Sequence, residues 1–184
     1  PLRPALLAAA RSPKLESAMS KMRITRQLVD RFVAGESEPE VVAAVASLLE
    51  SGRTVSVDYL GEDTTDAARA SATVEAYLSL LQAYSTIDAS PRSLEVSLKL
   101  SALGQGIDRS LALRGARTIC AAAEAAGVWV TVDAEDHTTT DSTLSIVREL
   151  RQDYPDLGTV LQAYLERTED DCRELSGPRS RIRL

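Results

Sequence analysis

Cysteine is nearly absent: the 184 residues hold two, Cys120 and Cys172, with no CxxC spacing. That argues against a disulfide framework or a structural zinc site and fits a reducing cytoplasm. Histidine is scarcer still, His137 alone, which removes histidine-cluster metal centres and two-histidine catalysis. No apolar run reaches the ~20 residues needed to span a bilayer. The hydrophobic stretch from Pro1 to Ala10 carries no small-residue cleavage site of the secretory kind, and no initiator Met opens the chain, so the N-terminus reads as internal. A basic excess is missing too: the net charge is −6 with both signs interspersed, which leaves no footprint for nucleic acid.

What is there is enough apolar material for a core. With 44% hydrophobic residues, one compact domain of this length buries roughly 70% of its unfolded surface. Four β-branched runs end in polar residues: TVSVDYLGE at 54–62, LEVSLKLSALG at 94–104, VWVTVDAED at 128–136 and TVLQAYLER at 159–167. A fifth, Arg181 to Leu184, ends the chain. Each of the four is followed by helical periodicity, so the chain reads as repeated β-then-α units on a parallel sheet.

Helices are expected over 15–33, from a capping box at Ser37-Glu38-Pro39-Glu40 to Gly52, and over 64–87 with Val74, Leu78, Leu81 and Tyr84 on one face. Others follow Asp108, with Leu111, Ile119 and Ala122 inward, and open at Thr138 and Thr168. Residues 1–50 read as an α-helical leader packed on the first strand, and 51–184 as the repeat.

Side chains alternate along a strand. Val96, Leu98 and Leu100 therefore oppose Ser97, Lys99 and Ser101, and Val128, Val130 and Val132 oppose Trp129, Thr131, Asp133 and Glu135. A doubly wound sheet would be apolar on both faces, whereas a barrel tolerates polar residues at its mouth. The expected class is thus α/β, a (β/α)8 TIM-type barrel of which about the first half is present, truncated in the fifth strand.

Lys99, Asp133 and Gln162 fall toward strand C-terminal ends, with Asp58 as a fourth candidate. They read either as an active site or as an ion pair filling the lumen. Gly104-Gln105-Gly106 reads as a turn, His137 as an exposed loop residue, Glu169-Asp170-Asp171 as negative charge at a helix start, and Tyr77 and Tyr84 as core or interface residues.

The ordered set VSVDYLGE, VSLKLSALG, VTVDAED, VLQAYLERTEDD and RIRL resembles the proline dehydrogenase family, in particular its bacterial monofunctional type. The resemblance covers about Val55 to Leu184. It implies a distorted (β/α)8 barrel holding FAD at its C-terminal face and oxidising L-proline to Δ1-pyrroline-5-carboxylate in proline catabolism, with electrons passing to a quinone or another acceptor. Carried over residue by residue, it places Lys99 beside substrate and flavin, and Asp133 in the active site. Gln162 and Val160 would hold the isoalloxazine, Arg183 would lie near the flavin N5 side, and Leu184 would pack against the proline ring. It implies no metal, and a cytoplasmic location, with peripheral contact at the inner membrane and oligomer formation left open. The family's later strands and last helix have no counterpart here, so the chain is expected to be the N-terminal part of a longer enzyme. Two rival readings use the same residues. One is a barrel lyase with Lys99 as Schiff-base nucleophile. The other is a non-catalytic fragment that needs its missing C-terminal half.

Overall fold

A computed structural model describes Gly35 and residues 37–87, 89–90 and 92–184. The helix expected over 15–33 lies outside the described residues, as does most of the leader. The chain divides into two compact units, Pro1–Val45 and Ala46–Leu184.

Helix α1 (Glu38–Glu50) opens with half of the expected capping box, the Ser37 N–H donating to Glu40 Oε2 at 3.1 Å. It is followed by Gly52 at φ +79, a backbone that favours glycine. After it come β1 (Val55–Asp58), α2 (Ala67–Tyr84), β2 (Leu94–Leu98), α3 (Arg109–Ala125) and β3 (Trp129–Val132). A 3₁₀ turn (His137–Thr139), α4 (Thr140–Leu150), β4 (Gly158–Val160), α5 (Thr168–Leu175) and β5 (Arg181–Arg183) complete the order.

The five strands among the described residues are parallel and lie in sequence order, β1 to β5. A doubly wound sheet reverses direction at a switch point; this one never does. α2 packs on α3, and α3 on α4 and β3. Val96, Leu98, Val130, Val132 and Thr159 are buried on one face of the sheet, and Ala116, Ile119, Ile146 and Leu150 are buried on the helices. Leu144, Leu161 and Leu175 form a further cluster with Cys172 and Ile182, which ties α4 and α5 to the last two strands.

Several local expectations are corrected. α2 is shorter than 64–87 because Asp66 caps it, accepting from the Ala68 N–H at 2.9 Å. Its buried face includes Ala70, Thr73, Tyr77 and Leu80 as well as Leu81 and Tyr84, while Val74 and Leu78 sit at its margin. On α3, capped by Asp108 as expected, the inward face is Ala112, Ala116, Ile119, Cys120 and Ala123. Alanines carry that contact, and a pattern sought in large residues misses them. At the next start the cap is Asp136, whose carboxylate takes the Thr138 N–H at 2.8 Å. Thr168 caps nothing: its hydroxyl donates to the Gln162 carbonyl at 2.6 Å.

Candidate active site

Strand register decides which side chains share the inner face. Ser56 and Asp58 pair with Glu95 and Ser97, Glu95 and Ser97 with Trp129 and Thr131, Thr131 with Gly158, and Gly158 and Val160 with Arg181 and Arg183. Two residues beyond Ser97 and Thr131, just past the ends of β2 and β3, the same parity brings Lys99 and Asp133. The Asp133 N–H extends the ladder to the Leu98 carbonyl at 2.9 Å, so both residues sit at the C-terminal edge.

There Lys99 Nζ donates to Asp58 Oδ2 and stands 4.0 Å from Asp133 Oδ2. Asp133 Oδ1 in turn accepts from the Arg183 guanidinium at 2.5 Å. Four charged side chains from β1, β2, β3 and β5 thus form one continuous chain. Burial alone would lower the Lys99 pKa, but the hydrogen bond and charge of Asp58, with Asp133 and Glu62 adding to them, hold it above the ordinary lysine value. Lys99 is therefore a fixed cation. A Schiff-base lysine needs the opposite shift.

Gln162 reaches the same rim from the loop after β4. Its Nε2 donates to the Glu135 carbonyl at 2.7 Å, and the Glu135 carboxylate holds the Ser101 hydroxyl and, at 3.1 Å, the Ser101 N–H. Ser101 also fixes the loop after β1 by accepting from the Asp63 N–H at 3.0 Å. The loops that follow β1, β2, β3 and β4 are consequently laced together around the charged chain. Val160 and Gln162 line a narrow crevice with Glu135 and Thr168. Leu184 follows β5 and is exposed, outside this ring of bonds.

Sequence reasoning missed Glu95. Its carboxylate accepts from Ser56 at 2.9 Å, Thr131 at 2.8 Å and Arg181, and lies 3.9 Å from the Arg183 guanidinium. Burial pushes its pKa up, yet the bonds from Thr131, Arg181 and Ser56 and the Arg181 charge outweigh burial and leave it lowered. The available signal was a glutamate with the parity of Ser97 and Lys99, between two apolar residues, in a chain that ends in an alternation of arginines.

Other candidates resolve as structure. Gly104 sits at φ +89 in a turn, and Gln105 donates to the Ser142 and Thr143 hydroxyls at 3.0 and 3.1 Å. His137 is exposed, 3.4 Å from Asp136. Glu169 and Asp170 pair with Arg173, and Asp171 pairs with Arg167. A groove of about 270 Å³ beside Trp129, at the other end of the strands, has Asp156 already paired to Arg92 and Arg179. Burial pushes the Cys120 thiol in it up to about 12, which makes it a poor nucleophile. No group of three or more His, Cys, Asp or Glu among the described residues could hold a metal.

A singly wound parallel sheet with helices on one side and a charged rim at its C-terminal edge defines the class: this is part of a (β/α)8 barrel of TIM type, where chemistry gathers at that edge. The comparisons narrow it. A family model described as proline dehydrogenase matches residues 41–177. Proline dehydrogenase 1 of Bacillus subtilis (strain 168) is 37% identical over 160 residues, covering 87% of this chain and 52% of its own length. Proline dehydrogenase of Deinococcus radiodurans is 37% identical over 99% of this chain and 59% of its own length. The crystal structure of proline utilization A from Bdellovibrio bacteriovorus, inactivated by N-propargylglycine, matches with a TM-score of 0.73 at 22% identity, over 82% of this chain and 18% of that one. That likeness bears on the fold alone. The chain belongs to the proline dehydrogenase family, and it spans about half the length of the curated relatives it matches.

Proposed function

We propose that the protein this chain belongs to oxidises L-proline to Δ1-pyrroline-5-carboxylate with FAD, the electrons passing on to a quinone or another acceptor. The observation that carries the reading is the Asp58–Lys99–Asp133–Arg183 chain at the C-terminal edge of a proline dehydrogenase family sheet.

The donor set suits a flavin and a carboxylate substrate. Two cations, Lys99 and the half-exposed Arg183, stand beside a side-chain amide, Gln162, at one rim. Such donors complement a ring system that gains negative charge and a substrate that carries it. FAD, when bound, supplies the acceptor for the hydride that leaves the proline ring. Gln162 and Val160 would hold it, Arg183 would lie on its N5 side, and Leu184 would pack against the proline ring.

Lys99 has two tasks in this scheme. Its positive charge attracts the proline carboxylate. It also disfavours a second positive charge on the proline nitrogen, since like charges at close range lower the pKa of an amine. The neutral amine is the form whose lone pair can become the iminium as hydride departs. Asp58 keeps Lys99 charged and in place, and Asp133 links it to Arg183.

No helix among the described residues is long and apolar enough to cross a membrane. A cytoplasmic protein touching the inner membrane peripherally would suit delivery of electrons to a quinone. The test is a visible spectrum of the purified full-length protein, followed by proline. A bound-flavin spectrum that bleaches supports the reading, and a colourless protein or an unbleached flavin sinks it.

A further inference from the structure

We infer that Glu95 is a positioning residue for Arg183: together with Arg181 it sets where the Arg183 guanidinium sits and balances the charge of the inner face. Its consequence for the flavin rests on the proposed function; its geometry does not.

Arg183 is divided between two carboxylates. It donates to Asp133 Oδ1 at 2.5 Å and lies 3.9 Å from Glu95 Oε1. The other Glu95 oxygen is taken by Arg181 and by Thr131 at 2.8 Å, and Ser56 donates to Oε1 at 2.9 Å. Arg181 reaches Glu95 from three strands away. Its guanidinium lies 4.0 Å from the Trp129 ring centroid, a cation–π contact that fixes it on the inner face. While Arg181 fills Oε2, Arg183 stays within reach of Asp133, at the mouth.

The charges balance as well. Within the ion-paired set, Lys99, Arg181 and Arg183 meet Asp58, Glu95 and Asp133, three cations against three carboxylates. Removing Glu95 makes this set one charge more positive, and removing Arg181 makes it one charge more negative. The second change also frees Oε2 to draw Arg183 away from Asp133. A residue that only braced the sheet would, when lost, weaken it in either variant alike.

The test uses the full-length protein with Glu95→Gln, which keeps the shape and drops the charge, and Arg181→Gln. The first readout is the side-chain Nε–H resonance of Arg183 in arginine-labelled protein, assigned by its loss in Arg183→Lys. The second is the midpoint potential of the bound flavin. Both variants should move the resonance. The potential should rise in Glu95→Gln and fall in Arg181→Gln, each by about tenfold in the reduction equilibrium, roughly 30 mV for a two-electron couple. An unmoved resonance, or potentials that stay put or shift with one sign, overturns the inference even if both variants melt earlier. If Glu95→Gln does not fold, Arg181→Gln decides by the same two readouts. A wild-type protein without flavin would defeat the proposed function, and the Arg183 resonance would still decide for or against Glu95.

Discussion

Lys99 is bonded to Asp58 on β1 and only approaches Asp133, at 4.0 Å. The aspartate that orients the lysine is therefore not the one that binds Arg183. Lys99→Ala in the full-length protein should lower turnover with proline by well over tenfold, more than about 1.4 kcal/mol of transition-state stabilisation. Asp58→Asn should follow it in direction, with a loss of about tenfold in kcat/KM, because an amide carries no charge to pair with the ammonium and holds it less firmly in place. Steady-state kinetics on the two variants check both. Borohydride with a carbonyl substrate should leave Lys99 unlabelled, and trapping there would restore the lyase reading.

The same pairings fix a pH dependence. Glu95 has its folded pKa below the ordinary 4.5. Its contribution is fully present above that value and is lost as pH falls through the lower folded value. Lys99 has its folded pKa above the ordinary 10.5, so its contribution is complete below that pH and disappears as pH rises through the folded value. Urea unfolding of wild type and Glu95→Gln should show a constant stability gap at neutral pH that narrows below about pH 4.5. A gap that widens with acid would contradict the assignment.

Much of this was legible in the chain, and the failures have physical causes. Strand positions and the identity of the polar face followed from alternation, because a sheet covered by helices on one side must separate Val96 and Leu98 from Ser97 and Lys99. Lys99 and Asp133 were legible as charges at strand ends. Asp58 was legible as a fourth candidate, and its bond to Lys99 is that of diagonal neighbours on the paired strands β1 and β2. Glu95 was not legible: its partner Arg181 lies three strands away on β5, and their approach across the inner face depends on how far the sheet curls, which no local pattern encodes. The buried face of α3 was hidden because Ala112, Ala116 and Ala123 are small. The helix opens at Thr168 as expected, but the threonine caps misled: several threonines fit a cap motif, the backbone chose Asp136 at the earlier start, and the Thr168 hydroxyl turned to the Gln162 carbonyl.

Tyr77 joins α2 to the sheet. Its hydroxyl donates to the Ser97 carbonyl at 2.6 Å and accepts from the Tyr59 N–H at 3.2 Å, which places the loop after β1 beside Asp58. Burial, opposed by the Tyr59 bond, holds this phenol far above its usual range, so it is a neutral donor at any working pH. Tyr77→Phe should cost about 1–3 kcal/mol in urea unfolding, because it removes both bonds and leaves the Ser97 carbonyl and the Tyr59 N–H short of a partner. Unchanged stability would mean that water replaces the hydroxyl.

Gly158 on β4 faces Thr131 on β3, and a methyl group there would collide with the Thr131 Oγ1 and come within 3.2 Å of its Cβ. Thr131 is 4% exposed and its hydroxyl is committed to Glu95, so it has little freedom to turn aside. Gly158→Ala should therefore destabilise by about 1–3 kcal/mol, overpacking outweighing the smaller backbone gain of replacing glycine in a strand. The loss should be specific to that one neighbour. Adding Thr131→Ala removes the clashing atoms, and the double variant should be at least as stable as Gly158→Ala alone, a coupling of about 1 kcal/mol or more by thermal or urea unfolding. Strict additivity would show that the glycine is needed for another reason and that Thr131 is free to yield.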